Sequence, residues 1–186
     1  IVGQSYHLAG RNPFAAPELV NVGAYSGLET DVSDVVAMAG FTSPGGVTFT
    51  AGGRFDEQTL EVRRAETSVS IPIDRHSINA SYTFIQAQPL YGFSQDRREV
   101  TLGGRARLHD YWSVYASGTY DLESSTLANS SFGFLYDDEC FTYGMTFSRT
   151  QNTISKDVSY GFGFNISFRT LGDFGTSTST NAFGTN

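Results

Sequence analysis

The chain has 186 residues, among them 20 glycines, with 14% aromatic and only 17% charged residues and a formal charge of −7. This length suits one domain, and the acidic balance argues against nucleic acid as a partner. The longest clean apolar run, Val35–Phe41, is far short of the roughly 18 residues a membrane helix needs, so the chain is either soluble or crosses a membrane on strands.

In chain order, residues 1–8 read as a weakly patterned strand, and the opening shows neither the basic start nor the apolar run of a signal peptide. Residues 9–31 read as a long irregular loop carrying two of the five prolines. From Val32 a period of two takes over. Val35, Ala37, Ala39 and Phe41 share one face, Val47, Phe49, Ala51, Gly53 and Phe55 the next, and Ala65, Thr67, Val69 and Ile71 the third. Ser77–Gln88, Arg97–His109, Tyr111–Leu122, Leu127–Tyr136 and Phe141–Thr150 continue the alternation. The clearest segment is Val158–Phe168, where Tyr160, Phe162, Phe164, Ile166 and Phe168 alternate with Gly161, Gly163, Asn165 and Ser167. Its eleven residues, at about 3.3 Å each and a tilt of roughly 45°, span about 26 Å, close to the apolar band of an outer-membrane barrel. The pattern predicts an all-β, antiparallel up-and-down meander of about ten strands, part or all of a transmembrane barrel, over residues 1–172. The Ser/Thr/Asn/Gly-rich stretch 173–186 reads as a disordered polar tail.

The charges follow the same division. Arg54, Arg64, Glu66, Glu99, Arg105, Arg107 and Asp121 all fall on the polar face, as a barrel with a wet interior requires, because an arginine in mid-depth lipid costs about 2–4 kcal/mol. Soluble antiparallel sheets show this split too; the aromatic content of the other face favours lipid. The mixed signs suggest a salt network in the lumen, with Asp56 included, more than a path for anionic head groups. Connections alternate between tight turns near 44–46, 74–76, 109–110 and 137–139 and others that include long ones at 9–31, 89–96 and 151–157. In a barrel the tight turns are periplasmic and the long loops external. Cys140 then lies at the periplasmic rim, as does the end of the strand closing at Phe168.

Nothing in the sequence calls for catalysis, a metal or a cofactor. His7, His76 and His109 lack ligand spacing, and there is no phosphate-binding glycine loop before a helix. Cys140 has no internal partner, so it is a free thiol or pairs outside the chain. A generic small outer-membrane barrel, porin-like or structural, remains the alternative, and a soluble ligand-binding barrel the non-membrane rival.

Several segments resemble the barrel of the LPS-assembly protein family, LptD. They are Leu60–Glu66 (LEVRRAE), Ala87-Gln88-Pro89, Tyr120–Glu123 (YDLE), Gly133–Phe141 (GFLYDDECF), Phe147–Thr150 (FSRT) and Phe168–Gly175 (FRTLGDFG). The resemblance implies the C-terminal part of a larger barrel in the outer membrane of a Gram-negative bacterium. That barrel inserts lipopolysaccharide into the outer leaflet and is plugged by an LptE-like lipoprotein. It implies a separate N-terminal domain that meets the periplasmic Lpt bridge, and a disulfide from Cys140 to that domain. Where well-known members carry two adjacent cysteines, this chain has Glu139-Cys140-Phe141, which leaves one such bond. The resemblance further makes Tyr160, Gly161, Phe162, Gly163, Phe164, Ile166 and Phe168 the last strand. That strand would carry the signal read by the barrel assembly machinery and one side of a lateral seam for lipid exit.

Overall fold

The computed structural model describes residues 1–12, 14, 28, 30–89, 94–152, 155–168 and 172–181, with side chains described through residue 168. The strands are β1 (Val2–Gly3), β2 (Val35–Thr42), β3 (Thr48–Phe55), β4 (Val62–Ile73), β5 (His76–Ile85), β6 (Arg97–Arg107), β7 (Trp112–Asp121), β8 (Thr126–Asp137), β9 (Phe141–Gln151), β10 (Val158–Phe168) and β11 (Gly172–Asn181). They form one sheet in chain order, every neighbour antiparallel, with β1 and β11 as its two edges. The described residues include no α-helix, and no helix long and apolar enough to cross a membrane.

The expected meander is present, with one strand more than the ten predicted. Gly172–Asn181, expected as disordered tail, pairs with β10 along its whole length, from Phe168↔Gly172 to Ser159↔Asn181. The alternation of Thr176, Thr178 and Thr180 with Ser177 and Ser179 is the reason. Threonine is β-branched and strand-favouring, so a composition that resembles a flexible linker satisfies an open strand edge. Residues 182–186 and most of the 9–31 loop lie outside the described residues.

Pairing brings like residues into continuous rows. One runs Ile71, Ile78, Gly104, Ala116, Phe132, Phe147 and Phe162 from β4 to β10. The opposite face carries Thr50, Ser68, Ser81, Thr101, Thr119, Asn129, Thr150 and Ser159 from β3 to β10. Hydroxyls bridge strands along this polar face, Thr50 to Ser68 at 2.6 Å, Thr101 to Thr119 at 2.9 Å and Ser117 to Ser131 at 2.7 Å. On the same face the Tyr115 ring lies over Gly133, and its hydroxyl bonds Thr146 on the next strand. Gly133 must lack a side chain here: a Cβ would meet the ring and stand 2.6 Å from the Met145 carbonyl.

Among the described residues no second layer covers either face. Among the described residues no hydrophobic side chain is buried. Tyr160 is 60% exposed, Phe132 50% and Phe147 44%, each in mid-strand or at a strand end on the apolar face. A soluble fold of this size buries a core, and the described residues show none.

Candidate functional site

The site is the wall itself, with an apolar face, a polar face and two rims. At one rim lie the short connections 43–47, 74–75, 108–111 and 138–140. At the other lie 4–34, 56–61, 86–96, 122–125 and 152–157. The expected alternation of connections is therefore present, and β11 returns the chain to the second rim.

On the apolar face, β7 to β10 carry a chain of ring contacts. Trp112 packs edge-on against Tyr136 at 5.0 Å, Tyr136 meets Phe141 at 5.4 Å, and Phe141 meets Phe168 at 6.3 Å. Above this belt, which lies at the short-turn rim, Tyr143 contacts Phe164 and Phe147 contacts Phe162, both at 5.2 Å. Among the described residues, arginines enter this face near the opposite rim. Arg98 sits 5.9 Å over the Phe84 ring and reaches Glu123 at 3.3 Å, while Arg149 donates to the Leu127 carbonyl at 3.1 Å and to Gln151 at 2.7 Å. A long cation stem lying on apolar surface with its head at the boundary is the arrangement expected where such a face ends.

The predicted polar-face charges share that face. Arg54 is opposite Arg64, and Glu99 opposite Asp121, so like charges face each other across strands. Such pairs repel, and relief comes along the strand: Arg64 bonds Glu66, and Arg97 meets Glu99 at 2.6 Å. Not every expected ionic partnership is present. Arg105 donates to the Ser113 hydroxyl at 3.3 Å and Arg107 to the Asp110 carbonyl at 2.5 Å. Asp121 accepts the backbone N–H groups of Glu123 at 2.9 Å and Ser124 at 3.1 Å, which fixes the β7–β8 turn. The charges thus form local pairs and turn caps. A hollow of about 730 Å³ opens on this face at the second rim, lined by Asp96, Arg97, Glu99, Thr119, Asp121 and Asn129 among others.

One residue at that rim escapes the alternation rule. Arg63 lies where the register slips between β3 and β4, so Phe55 pairs with Val62 and Arg54 with Arg64. It bonds Asp56 and lies 3.1 Å from Asp34 Oδ1. The sequence signal was the doublet Arg63-Arg64, because two consecutive charges fall on opposite faces of a regular strand and a bulge is one way to relieve that. Burial pushes the Asp34 carboxyl up from its ordinary value against the pull of Arg63 and Arg54. Asp56 is held well below the usual carboxylate range, chiefly by the N–H groups of Thr59 and Gln58.

Cys140 is an exposed free thiol at the tip of the β8–β9 turn. Asp138 Oδ1 accepts N–H bonds from Cys140 at 2.7 Å and Phe141 at 2.8 Å, which fixes that tip. The strand Tyr160, Gly161, Phe162, Gly163, Phe164, Ile166 and Phe168 lies between β9 and β11, so it is not the edge of the described sheet. β10 is therefore not the last strand of the described sheet, since β11 follows it.

A family model, LptD, LPS transport system D, matches residues 1–112. The chain belongs to this family. No curated protein and no solved structure matches it. The LptD match spans β1 to β6 and ends at the first residue of β7. It contains the quoted LEVRRAE segment, whereas GFLYDDECF and FSRT lie beyond it, so membership of the LptD family does not depend on those two segments.

Proposed function

We propose that this LptD-family chain is the C-terminal wall of an outer-membrane barrel that inserts lipopolysaccharide into the outer leaflet of a Gram-negative bacterium. The observation that carries the reading is the uncovered apolar face, continuous across the sheet and without a buried core. Acyl chains satisfy such a face where water does not. The polar face then borders the wet interior, offering hydroxyls and amides to saccharide and a surface to an LptE-like plug lipoprotein. The lumen charges, Arg54, Arg64, Glu66, Glu99, Arg105, Arg107 and Asp121, stiffen the wall through their local pairs and carry no catalytic role. The short-turn rim is periplasmic, close to an N-terminal domain that meets the Lpt bridge, and Cys140 forms a disulfide to that domain. The barrel assembly machinery inserts the wall with Tyr160, Phe162, Phe164, Ile166 and Phe168 toward lipid.

Depletion of the protein in its native cell is expected to remove lipopolysaccharide from the cell surface; unchanged surface lipopolysaccharide overturns the transport reading. A fluorophore at position 162 is expected to be quenched by brominated lipid, and one at position 117 is not. The reverse pattern overturns the orientation. Cys140 of the non-reduced full-length protein is expected to resist maleimide, and ready labelling removes the disulfide.

A further inference from the structure

Two arginines enter the apolar face at one height. Counted from the short-turn rim, Arg149 stands eight residues above Phe141 along β9 and Arg98 nine above Arg107 along β6. Tyr160, the register partner of Arg149, stands eight above Phe168 along β10. Eight residues are about 26 Å of strand, or about 20 Å of height at a tilt of roughly 40°. Arg149 also reaches upward: it pairs with Ser130 but donates to the Leu127 carbonyl, nearer the second rim. Its guanidinium therefore lies close to the far edge of an apolar band about 25 Å tall, where lipid phosphates lie.

The two arginines differ in what surrounds them. Arg98 has two carboxylates, Glu123 at 3.3 Å and Asp96 at 3.6 Å. Arg149 has none among the described residues. Its partners are the neutral oxygens of Leu127 at 3.1 Å and Gln151 at 2.7 Å, which leaves other N–H groups of its fork unused. Directly across the ladder, Tyr160 is 60% exposed and its hydroxyl has no partner among the described residues.

We propose that Arg149 and Tyr160 hold the phosphate of a lipopolysaccharide molecule resident in the outer leaflet, against the outside of the wall. The proposal rests on the reading that this face meets lipid with the second rim external. A guanidinium matches phosphate oxygens in a bidentate fork, and no carboxylate competes for this one among the described residues. The acyl chains of the same molecule then lie along Phe147 and Phe162, the ring pair two residues below on the same face. Arg98, already answered by two acids, forms no second such site.

The test places a benzophenone side chain at position 158, opposite Gln151 in the ladder, in the full-length protein in detergent. The probes are purified lipid A with its phosphates and the same lipid dephosphorylated. Crosslinking is expected to favour the phosphorylated lipid about tenfold, the order of one charge-assisted bond. Arg149→Gln is expected to erase that preference and Arg98→Gln to leave it; a preference that survives Arg149→Gln overturns the clamp. Inorganic phosphate at the same concentration is expected not to compete, and competition overturns lipid docking in favour of a free-anion site. Equal crosslinking of both lipids to the otherwise wild-type chain overturns the clamp alone, whatever the variants do. Crosslinking of neither lipid overturns the clamp and the lipid-facing reading together.

Discussion

The first half of the sheet and the second solve one problem differently. Across β2 to β5 the apolar face is built mainly from small and aliphatic residues, Ala37, Ala39, Ala51, Ala65, Val69 and Ala80, and charged pairs crowd the polar face and the rim. Across β7 to β10 the apolar face is a lattice of rings, and the polar face holds mostly hydroxyls and glycines. What the halves share is the sorting itself, and the family match falls on the half with fewer rings. Aromatic density is therefore a local reinforcement of the wall, while alternation of apolar and polar faces is its defining property.

If lipid meets both halves, a charge at mid-strand costs the same in each. Ala51→Arg in β3 is expected to destabilise the folded protein by about 2–4 kcal/mol. Phe162→Arg adds the lost ring contact with Phe147, 5.2 Å away, for about 1 kcal/mol more. Ser117→Arg on the polar face, where the hydroxyl bonds Ser131 at 2.7 Å, is expected to cost about 1 kcal/mol for the lost bond. Urea titration in detergent-lipid micelles measures all three. A cost at Ala51 no larger than at Ser117 would confine the lipid-facing reading to the aromatic half.

The next effect belongs to the aromatic half alone. Gly133→Ala places a methyl against the Tyr115 ring and the Met145 carbonyl, and overpacking of this kind costs about 2 kcal/mol. Tyr115→Ala in the same chain is expected to recover only part of the loss, since the carbonyl clash remains. Full recovery would show that the ring alone demands the glycine.

These positions also show what alternation reveals. The expected meander followed from a period of two, because strand geometry imposes that period whatever the partners are. Partners did not follow. Arg107 donates to a carbonyl in the adjacent turn and Asp121 caps one, contacts between residues close in sequence that a face assignment leaves open. Arg63 sits at a register slip, where parity fails by construction. The β11 strand was hidden for another reason: its composition matches a flexible tail, and its order depends on the edge that β10 offers.

In the charged half, Arg63→Met strands Asp34 and Asp56 together. A fully buried broken pair costs 3–5 kcal/mol, and because Arg63 is about a quarter exposed the expectation here is about 1.5 kcal/mol. The pH dependence separates the two acids. Asp34 has a folded pKa raised above its ordinary 3.8, so its folded state binds the proton more tightly and stability is lost as pH rises through that window. The variant should therefore recover as pH falls from neutrality toward 3.8. Asp56 has a depressed pKa, so its contribution is present above 3.8 and lost as pH falls below it. A stability curve for Arg63→Met without a rise on mild acidification would show that Asp34 does not feel the lost cation.

The smallest effect discriminates most finely between charge and rings as supports. Arg64 bonds Glu66, with both side chains about half exposed, and Arg64 also faces Arg54 across the ladder. Removing it deletes one attraction and one repulsion together. Exposed pairs contribute about 0.2–1 kcal/mol and like-charge neighbours oppose by a similar amount, so Arg64→Ala is expected to change stability by less than about 0.5 kcal/mol. The sign should depend on salt, because screening weakens both terms over a Debye length of about 10 Å at 0.1 M. A loss well above that, persisting at high salt, would mean that Arg64 holds its half of the wall through stem packing on β3, which makes the two halves alike in kind.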